Sequence, residues 1–394
     1  MEEHTQRRRT PRQSPVQKNR SLQGTLLMVL LFGTVVLFVV LGLLVKDRTF
    51  SESENRNLAQ APELSWSAVT DGSYLSDLSA YVADQFPGRD MWMSMNLWLQ
   101  KLFGSKESGG VYLCQDDYLM QVPGEPNEEQ LERNLAAMDR FSQAYPEITI
   151  AASIAPNAVT VLEEKLPKNA PVRDQRADLK YIQDNLKNVR FVDVTDTLIA
   201  HNEEQLYYRT DHHWTSLAAA YAFEDVAQAM GVTAPALNTY DRYLVSNTFE
   251  GTLSSKSGSH KAADTVEIFV PKTDIEYYVT YPDGGGEICS MYNREALDGK
   301  DHYTVFFGGN YSRVDITTSA DTGRSLLIFK DSYANCMIQF LYPYFDHITM
   351  VDPRYFYDNV ENIITSENVT DVLFLYNLDT FLSDTSLADV ITVD

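Results

Sequence analysis

From Leu26 to Val45 the chain runs twenty residues without a charge, bounded by Arg20 and Lys46. A run of that length spans the hydrocarbon core of a bilayer. It is longer than the apolar stretch of a secretory signal, and no small-residue cleavage site follows it. Beyond it, Phe50 to Leu64 reads as an extended tether. From Ser73 the apolar positions Tyr74, Leu75, Leu78, Tyr81 and Val82 take helical spacing. Gln85-Phe86-Pro87-Gly88-Arg89 interrupts that helix, and Trp92 to Phe103 carries a second amphipathic one.

From about residue 105 the pattern alternates between strand and helix. Val111-Tyr112-Leu113 and Tyr118-Leu119-Met120 flank Asp116-Asp117 as a hairpin. Glu128 to Tyr145 places Leu131, Leu135, Met138 and Phe141 on one helical face. Ile148 to Ile154 is a continuous run of apolar and small residues, as expected of a strand covered on both sides. A helix from Asp174 to Leu186, a short strand from Arg190 to Val194 and a helix ending at Met230 follow. Further strands are predicted at Ser325–Lys330, Ile348–Val351 and Val369–Tyr376, separated by helices over 333–342 and 358–365. This alternation implies a mainly parallel α/β sheet. Residues 232–320 break the rhythm. Short β-like runs (Val266–Val270, Glu276–Thr280 and Thr304–Phe307) lie between loops rich in Gly, Ser and Asp, so the segment reads as an antiparallel insertion.

Charge narrows the function. The net charge is −23, yet residues 1–45 carry six basic and two acidic side chains, which leaves the rest at −27. So acidic a body is unsuited to nucleic acid, whose phosphates need Lys and Arg. The basic arm, residues 1–25, should stay in the cytoplasm and leave everything after Lys46 outside. Three cysteines, Cys114, Cys289 and Cys336, build no disulfide framework. No cofactor motif is present: Asp283-Gly284-Gly285-Gly286-Glu287 lacks the strand and helix that a phosphate loop needs.

Two stretches carry chemistry. In Tyr207-Tyr208-Arg209-Thr210-Asp211-His212-His213-Trp214-Thr215-Ser216, an aspartate stands two residues before a histidine among aromatics. Such a carboxylate can orient one ring nitrogen and leave the other to take a proton. Ser332 lies 119 residues beyond His213, on a sharp turn between the strand 325–330 and the helix predicted after it. A serine there stands at the sheet's edge beside free helix N–H groups. Each piece also has a plainer reading, the histidines as surface or core residues and Ser332 as a helix cap. Asp211-His212-His213 invites a metal reading as well, but no second cluster has ligand spacing, so no metal is expected.

Thr210-Asp211-His212-His213-Trp214-Thr215 resembles the signature of the bacterial DHHW proteins. These are similar to alginate O-acetyltransferases and lie near the SGNH hydrolase-like superfamily. Further matching blocks are Ser53-Glu54-Asn55-Arg56, Asp84 to Asp90, Gly109-Gly110-Val111-Tyr112, Phe307 to Tyr311, Lys330 to Asn335 and Asp352 to Tyr355. The resemblance implies a three-layer SGNH hydrolase-like (flavodoxin-like) α/β sheet over residues 105–394, with its insertion at about 232–320. That body follows one transmembrane anchor (26–45) and a region of tether and helices (46–104). It also implies a Ser332–His213–Asp211 triad whose base precedes its nucleophile, the reverse of the usual SGNH order. Asn310 becomes a candidate oxyanion donor beside the Ser332 N–H, and Arg354 and Asn157 become candidate substrate contacts. The expected function is extracytoplasmic O-acyl (acetyl-type) transfer to a polysaccharide by a protein of the bacterial cell membrane. A membrane-bound O-acyltransferase would supply the acyl group. Water as acceptor would make the same triad an esterase, and a third reading is a non-catalytic glycan-binding or assembly protein.

Overall fold

The computed structural model describes residues 15–51, 56–282, 286–288 and 290–392. The first fourteen residues of the basic arm, most of the Ser53–Arg56 block, the Asp283–Gly285 loop and Cys289 lie outside them. The chain forms two compact units, one comprising residues 1–52 and 56–93, the other 53–55 and 94–394.

In the first unit, helix α1 spans Pro15–Leu44. Its Gln23–Leu44 stretch is long and apolar enough to cross a membrane, and none of its most apolar window is buried. Phe50-Ser51 pairs antiparallel with Arg56-Asn57. Helix α2 (Ser73–Asp84) then places the Asp84 carboxylate to accept from the Ala59 N–H at 2.8 Å. Helix α3 covers Arg89–Leu102.

The second unit opens with a three-stranded antiparallel sheet, β1 (Glu107–Ser108), β2 (Val111–Leu113) and β3 (Leu119–Gln121). Next come helix α4 (Glu128–Ala144), strand β4 (Thr149–Ala155), helix α5 (Gln175–Asn185), strand β5 (Arg190–Phe191) and helix α6 (Ser216–Ala229). The later strands are β6 (Tyr240–Phe249), β7 (Asp264–Pro271), β8 (Tyr277–Tyr281), β9 (Gly286–Ile288), β10 (Arg313–Thr318), β11 (Ser325–Lys330), β12 (His347–Val351) and β13 (Asp371–Asn377). Asn127, Asp174 and Thr215 cap α4, α5 and α6 by accepting a first-turn N–H.

The main sheet has eight strands in the order β9-β8-β10-β12-β11-β13-β4-β5. The five from β12 to β5 are parallel. Counted from β11, they stand in the spatial order second, first, third, fourth, fifth, one of the doubly wound orders. The chain enters that cycle at its fourth strand. Alternate side chains go to opposite faces of the sheet. Ala151, Leu326, Ile328 and Leu373 join α6 residues such as Phe223 and Val226 in one core. Ile150, Ala152, Leu327, Phe329 and Phe374 join Leu135, Met138 and Phe141 of α4 in another. With both faces buried, these strands need no polar alternation, which is why they read as continuous apolar runs.

The structure departs from the sequence reading in three places. Of the segment 232–320, hairpin β6–β7 stays apart from the main sheet, whereas β8, β9 and β10 extend that sheet antiparallel from β12. The strand expected at Thr304–Phe307 is a 3-10 turn, His302–Val305, because the Asp301 side chain takes the Tyr303 N–H at 3.2 Å. The helix expected over 333–342 is a 3-10 turn (Ser332–Cys336) and then a single helical turn (Ile338–Leu341). Asp331 tightens its start by accepting the Tyr333 N–H at 2.9 Å, and Pro343 follows directly.

The segment before α6 is held by a carboxylate distant in sequence. Tyr207 and Trp214 form an antiparallel bridge, and the Tyr208 N–H donates to the His213 carbonyl at 3.2 Å. At the start of β7 the buried Asp264 accepts from Arg209 N–H (2.9 Å), Thr210 N–H (2.8 Å), Thr210 Oγ1 (2.6 Å) and Gln205 Nε2 (3.0 Å). Removing that carboxylate strands buried donors, each costing about 1–3 kcal/mol. Asp264→Ala is therefore expected to destabilise the protein by about 3 kcal/mol or more in urea denaturation. A loss below about 1 kcal/mol would show that other groups replace it.

Candidate active site

The loop held by Asp264 and the turn after β11 meet at three side chains. His213 Nε2 lies 2.7 Å from Ser332 Oγ, and His213 Nδ1 lies 2.5 Å from Asp211 Oδ1. That same carboxylate oxygen accepts the His213 N–H at 3.0 Å, so the ring and its own backbone share one anchor. The other oxygen, Oδ2, accepts the Thr252 N–H at 2.8 Å and the Thr252 hydroxyl at 2.9 Å. Burial by itself would raise the Asp211 pKa. His212, His213, the bond to the His213 ring and the Thr252 N–H outweigh it and hold the carboxyl well below the usual range. Asp211 and His213 are buried, whereas Ser332 is partly exposed and open to a ligand.

Two further hydrogen bonds, and Tyr303 as a bridge, clamp the histidine loop to the serine turn. Tyr303 stacks on the His213 ring, centroids 3.8 Å apart and planes 11° from parallel, and its hydroxyl donates to the Ser332 carbonyl at 2.8 Å. Trp214 Nε1 donates to the Tyr333 carbonyl at 2.9 Å, and the Tyr333 hydroxyl donates to the His212 carbonyl at 2.5 Å. Behind Asp211 the backbone of Gly251 comes so close that a Cβ there would collide with the Asp211 side chain. The glycine is required by that approach rather than by its dihedral angles, which any residue can adopt.

The other candidates lie around this centre. His212 borders a polar cavity of about 360 Å³ together with Asn157 and Arg354. Its Nδ1 lies 2.9 Å from the Thr252 hydroxyl. Since that hydroxyl donates its proton to Asp211, it accepts from the His212 Nδ1–H, which fixes the neutral tautomer. Desolvation first, and then the neighbouring His213, push the His212 pKa below its ordinary value. Arg354 is bound to Asp352 through two bonds, 2.8 Å from Nε and 2.6 Å from Nη2. Asn157 is tied to Gln175 and Asn377. Asn310 is exposed, and its Oδ1 accepts from Lys330 Nζ at 3.3 Å and Asn335 Nδ2 at 3.2 Å.

Lys330 is itself buried and donates to Asn335 Oδ1 at 2.8 Å. Desolvation pushes its pKa down to about 8 against the pull of Asp352 and Asp331. Asp211, His212 and His213 bring three ligating atoms within 4.8 Å of one another, a group among the described residues that could hold a metal ion. In this arrangement both Asp211 oxygens and His212 Nδ1 are already engaged in hydrogen bonds, so a cation there would compete with the contacts just described. Sequence reasoning did not find Gly251, Thr252, Tyr303 or Lys330. The first three stand 29 to 81 residues before the serine, in loops without periodicity, and Lys330 reads as the last position of an apolar strand.

A model of the DHHW protein family matches residues 132–351, a stretch that holds both the histidine loop and the serine turn. No curated protein sequence matches the chain. Among solved structures, a DHHW family protein from Eubacterium siraeum is 26% identical, covering 72% of this chain and 95% of that one, with a TM-score of 0.64. PatB1 of Bacillus cereus is 21% identical over 71% of this chain and 98% of its own, with a TM-score of 0.59. A second PatB1 structure, carrying a sulfonyl adduct, superposes equally well at 20% identity. Those two proteins share the fold, and the family match extends over more than half of this sequence: the chain belongs to the DHHW family.

Proposed function

We propose that this protein is a membrane-anchored, extracytoplasmic O-acyltransferase that moves an acyl group, acetyl in the first instance, onto a hydroxyl of a polysaccharide. The observation that carries the reading is the 2.7 Å approach of His213 Nε2 to Ser332 Oγ, with the Asp211 carboxylate on the opposite ring nitrogen. In that geometry His213 takes the Ser332 proton as Oγ attacks the acyl carbonyl, and Asp211 stabilises the imidazolium that forms. The Ser332 N–H is one oxyanion donor. Asn310 is the second, because Lys330 and Asn335 hold its Oδ1 and leave its Nδ2 to donate. The imidazolium protonates the leaving alcohol, and an acyl-serine remains. A sugar hydroxyl then gives its proton to His213 and attacks, which restores Ser332.

The body supporting this chemistry is a three-layer SGNH hydrolase-like domain over residues 105–394, entered at a permuted point of its strand cycle. The span 26–45 tethers it outside the bacterial membrane with the basic arm inside, where a membrane-bound O-acyltransferase can deliver the acyl group.

The test is incubation with an activated acetyl ester, with and without a glycan acceptor. Ser332→Ala should abolish acyl-serine formation, since no hydroxyl remains to be acylated, and His213→Ala should reduce it by a factor on the order of 10³ or more. Asp211→Ala should be about ten- to a hundredfold milder, since serine and base survive. His212→Ala should cost little, and a chelator should not change the rate. Full activity in Ser332→Ala would sink the reading, and retained glycan binding in that variant would promote a binding role. Acyl loss to water alone, unaffected by any glycan, would make the protein an esterase.

Gly251→Ala should lower acyl-enzyme formation about tenfold, within the loss expected of Asp211→Ala, because displacing Asp211 misplaces the base. In an Asp211→Ala background the same change should add almost nothing, since the obstructed side chain is gone. Additive losses would show that Gly251 acts elsewhere.

Asp211 also gives the protein a definite acid response. Its folded-state pKa lies below the unfolded value of about 3.9. The stabilisation is therefore complete above that value and is lost as pH falls through the lower, folded one. The stability difference between wild type and Asp211→Asn, on the order of 2 kcal/mol, should be constant from about pH 5 to 8 and shrink below about pH 4 in urea titrations. A difference that grows on acidification would contradict an ionised Asp211.

A further inference from the structure

The first unit keeps large apolar side chains on its outside. Leu75 and Val82 of α2 and Met91 and Trp92 of α3 are exposed, by between 36% and 70% of their surface. Apolar groups left uncovered over so short a stretch mark an interaction surface. Three of the four tryptophans, Trp66, Trp92 and Trp98, fall in or beside it, and tryptophan is a residue of the membrane–water boundary.

Contacts with α1 say what covers this surface. Phe86, in the elbow between α2 and α3, stacks on Phe38 of α1 with ring centroids 5.0 Å apart, and Trp92 meets the same ring edge-on at 6.0 Å. Nearer the exit of α1, the Tyr81 hydroxyl donates to Asp47 Oδ2 at 2.9 Å. Gln85 grips the next residue through both its side-chain atoms. Its Oε1 accepts the Arg48 N–H at 3.0 Å, and its Nε2 donates to the Arg48 carbonyl at 2.9 Å. Phe38 precedes Val45, the last apolar residue of the run, by seven positions, which is about 10 Å along a helix. With 26–45 across the hydrocarbon core, the rings of Phe86 and Trp92 stand beside the span at about that depth below its outer edge.

An apolar cleft of about 430 Å³ separates α1 from the elbow, with Val35, Phe38, Val39, Leu43, Val82 and Phe86 on its walls. Along α1 it runs from Thr34 to Leu43, about 14 Å, close to the hydrocarbon depth of one leaflet, about 15 Å. Its polar side chains are spent within the chain. Thr34 Oγ1 donates to the Leu30 carbonyl at 2.8 Å, Tyr81 to Asp47, and Gln85 Nε2 to the Ala59 as well as the Arg48 carbonyl. The charges flanking the elbow also face one another. Arg89 Nε donates to the Ala83 carbonyl at 3.1 Å, and Nη2 lies 3.9 Å from Asp84 Oδ1. A bilayer demands such internal satisfaction, and water does not.

We propose that the elbow around Phe86-Pro87 is sunk into the outer leaflet beside the span, and that acyl chains of the bilayer fill the cleft between them. The segment after the span is then no slack tether: it leaves the membrane at Arg48 and returns to it at Phe86. This rests on reading 26–45 as a membrane span, and on nothing in the acyl-transfer chemistry.

The experiment is tryptophan quenching in the full chain, reconstituted into phosphatidylcholine vesicles whose lipids carry bromine midway along one acyl chain. Trp66→Phe with Trp98→Phe leaves Trp92 and Trp214, and Trp214 is fully buried, out of reach of either quencher. The further change Trp92→Phe gives the Trp214 emission to subtract. Brominated lipid should lower the Trp92 emission at least twofold against unbrominated vesicles, and aqueous iodide should leave it unchanged. Thermal melting reports folding, and the difference between wild type and Trp92→Phe alone reads the same quantity should the double variant fail to fold. Quenching of Trp92 by iodide and not by bromine overturns the proposal by placing the elbow in water. Protection from both overturns it too, because a protein surface would then cover the elbow. Val36→Trp, added where Trp66, Trp92 and Trp98 are all Phe, tests the span by itself, since Val36 is exposed midway along it. Bromine quenching there without quenching of Trp92 overturns the elbow and leaves the span standing; no bromine quenching at either position overturns the span as well.

Discussion

Keeping a carboxylate ionised inside the protein is the constraint on which this architecture depends. Removing such a group from water costs several kcal/mol unless hydrogen bonds and opposite charge replace its hydration. Asp211 obtains those replacements from its own loop through the His213 N–H and ring, and from the Gly251–Thr252 segment through one N–H and one hydroxyl. The second source explains why the hairpin β6–β7 matters although it stands apart from the main sheet. The segment between its strands brings Thr252 to Asp211, and its second strand begins with Asp264, which secures the two residues just before Asp211. One buried acid orients the histidine, and another holds the loop that carries the first.

The same economy governs the serine's side. Ser332 follows a central strand whose neighbours are both parallel, so its position is set by β12 and β13 together. The turn is closed by Asp331, whose two oxygens bind Tyr333 N–H and Asn377 N–H and thereby fasten the serine turn to the end of β13. Tyr303, Trp214 and Tyr333 then bind this turn to the histidine loop through backbone carbonyls. Aromatic side chains with one polar atom suit that task, because each fills the core and still spends its donor.

Much of this could be read from the chain itself. The strands at 149–155, 325–330, 347–351 and 371–377 stand out because both their faces are buried, so their sequences need no polar alternation. The histidine motif and Ser332 are legible because the proposed acyl-transfer chemistry draws on those residue types at loops and turns. What stayed hidden depends on tertiary partners. The turn at 332–336 looks helical until Asp331 is seen taking the Tyr333 N–H. Residues 304–307 carry β-type side chains and are nonetheless coiled by the Asp301 cap. Thr252 and Asp264 are ordinary loop and strand-end residues in sequence, and only their hydrogen bonds reveal them.

The strand order has a consequence for how the chain is made. β4 pairs with β13, Thr149 opposite Asp371, so one edge of an early strand waits for a strand 222 residues further on. A chain emerging N-terminus first therefore carries an open, apolar strand edge throughout the synthesis of everything between, and such edges invite pairing with other chains. Closing a loop of that length is slow compared with local contacts. The central sheet is thus a late-assembling seam: a truncated or stalled copy would present β4 and β11 without the strand that joins them.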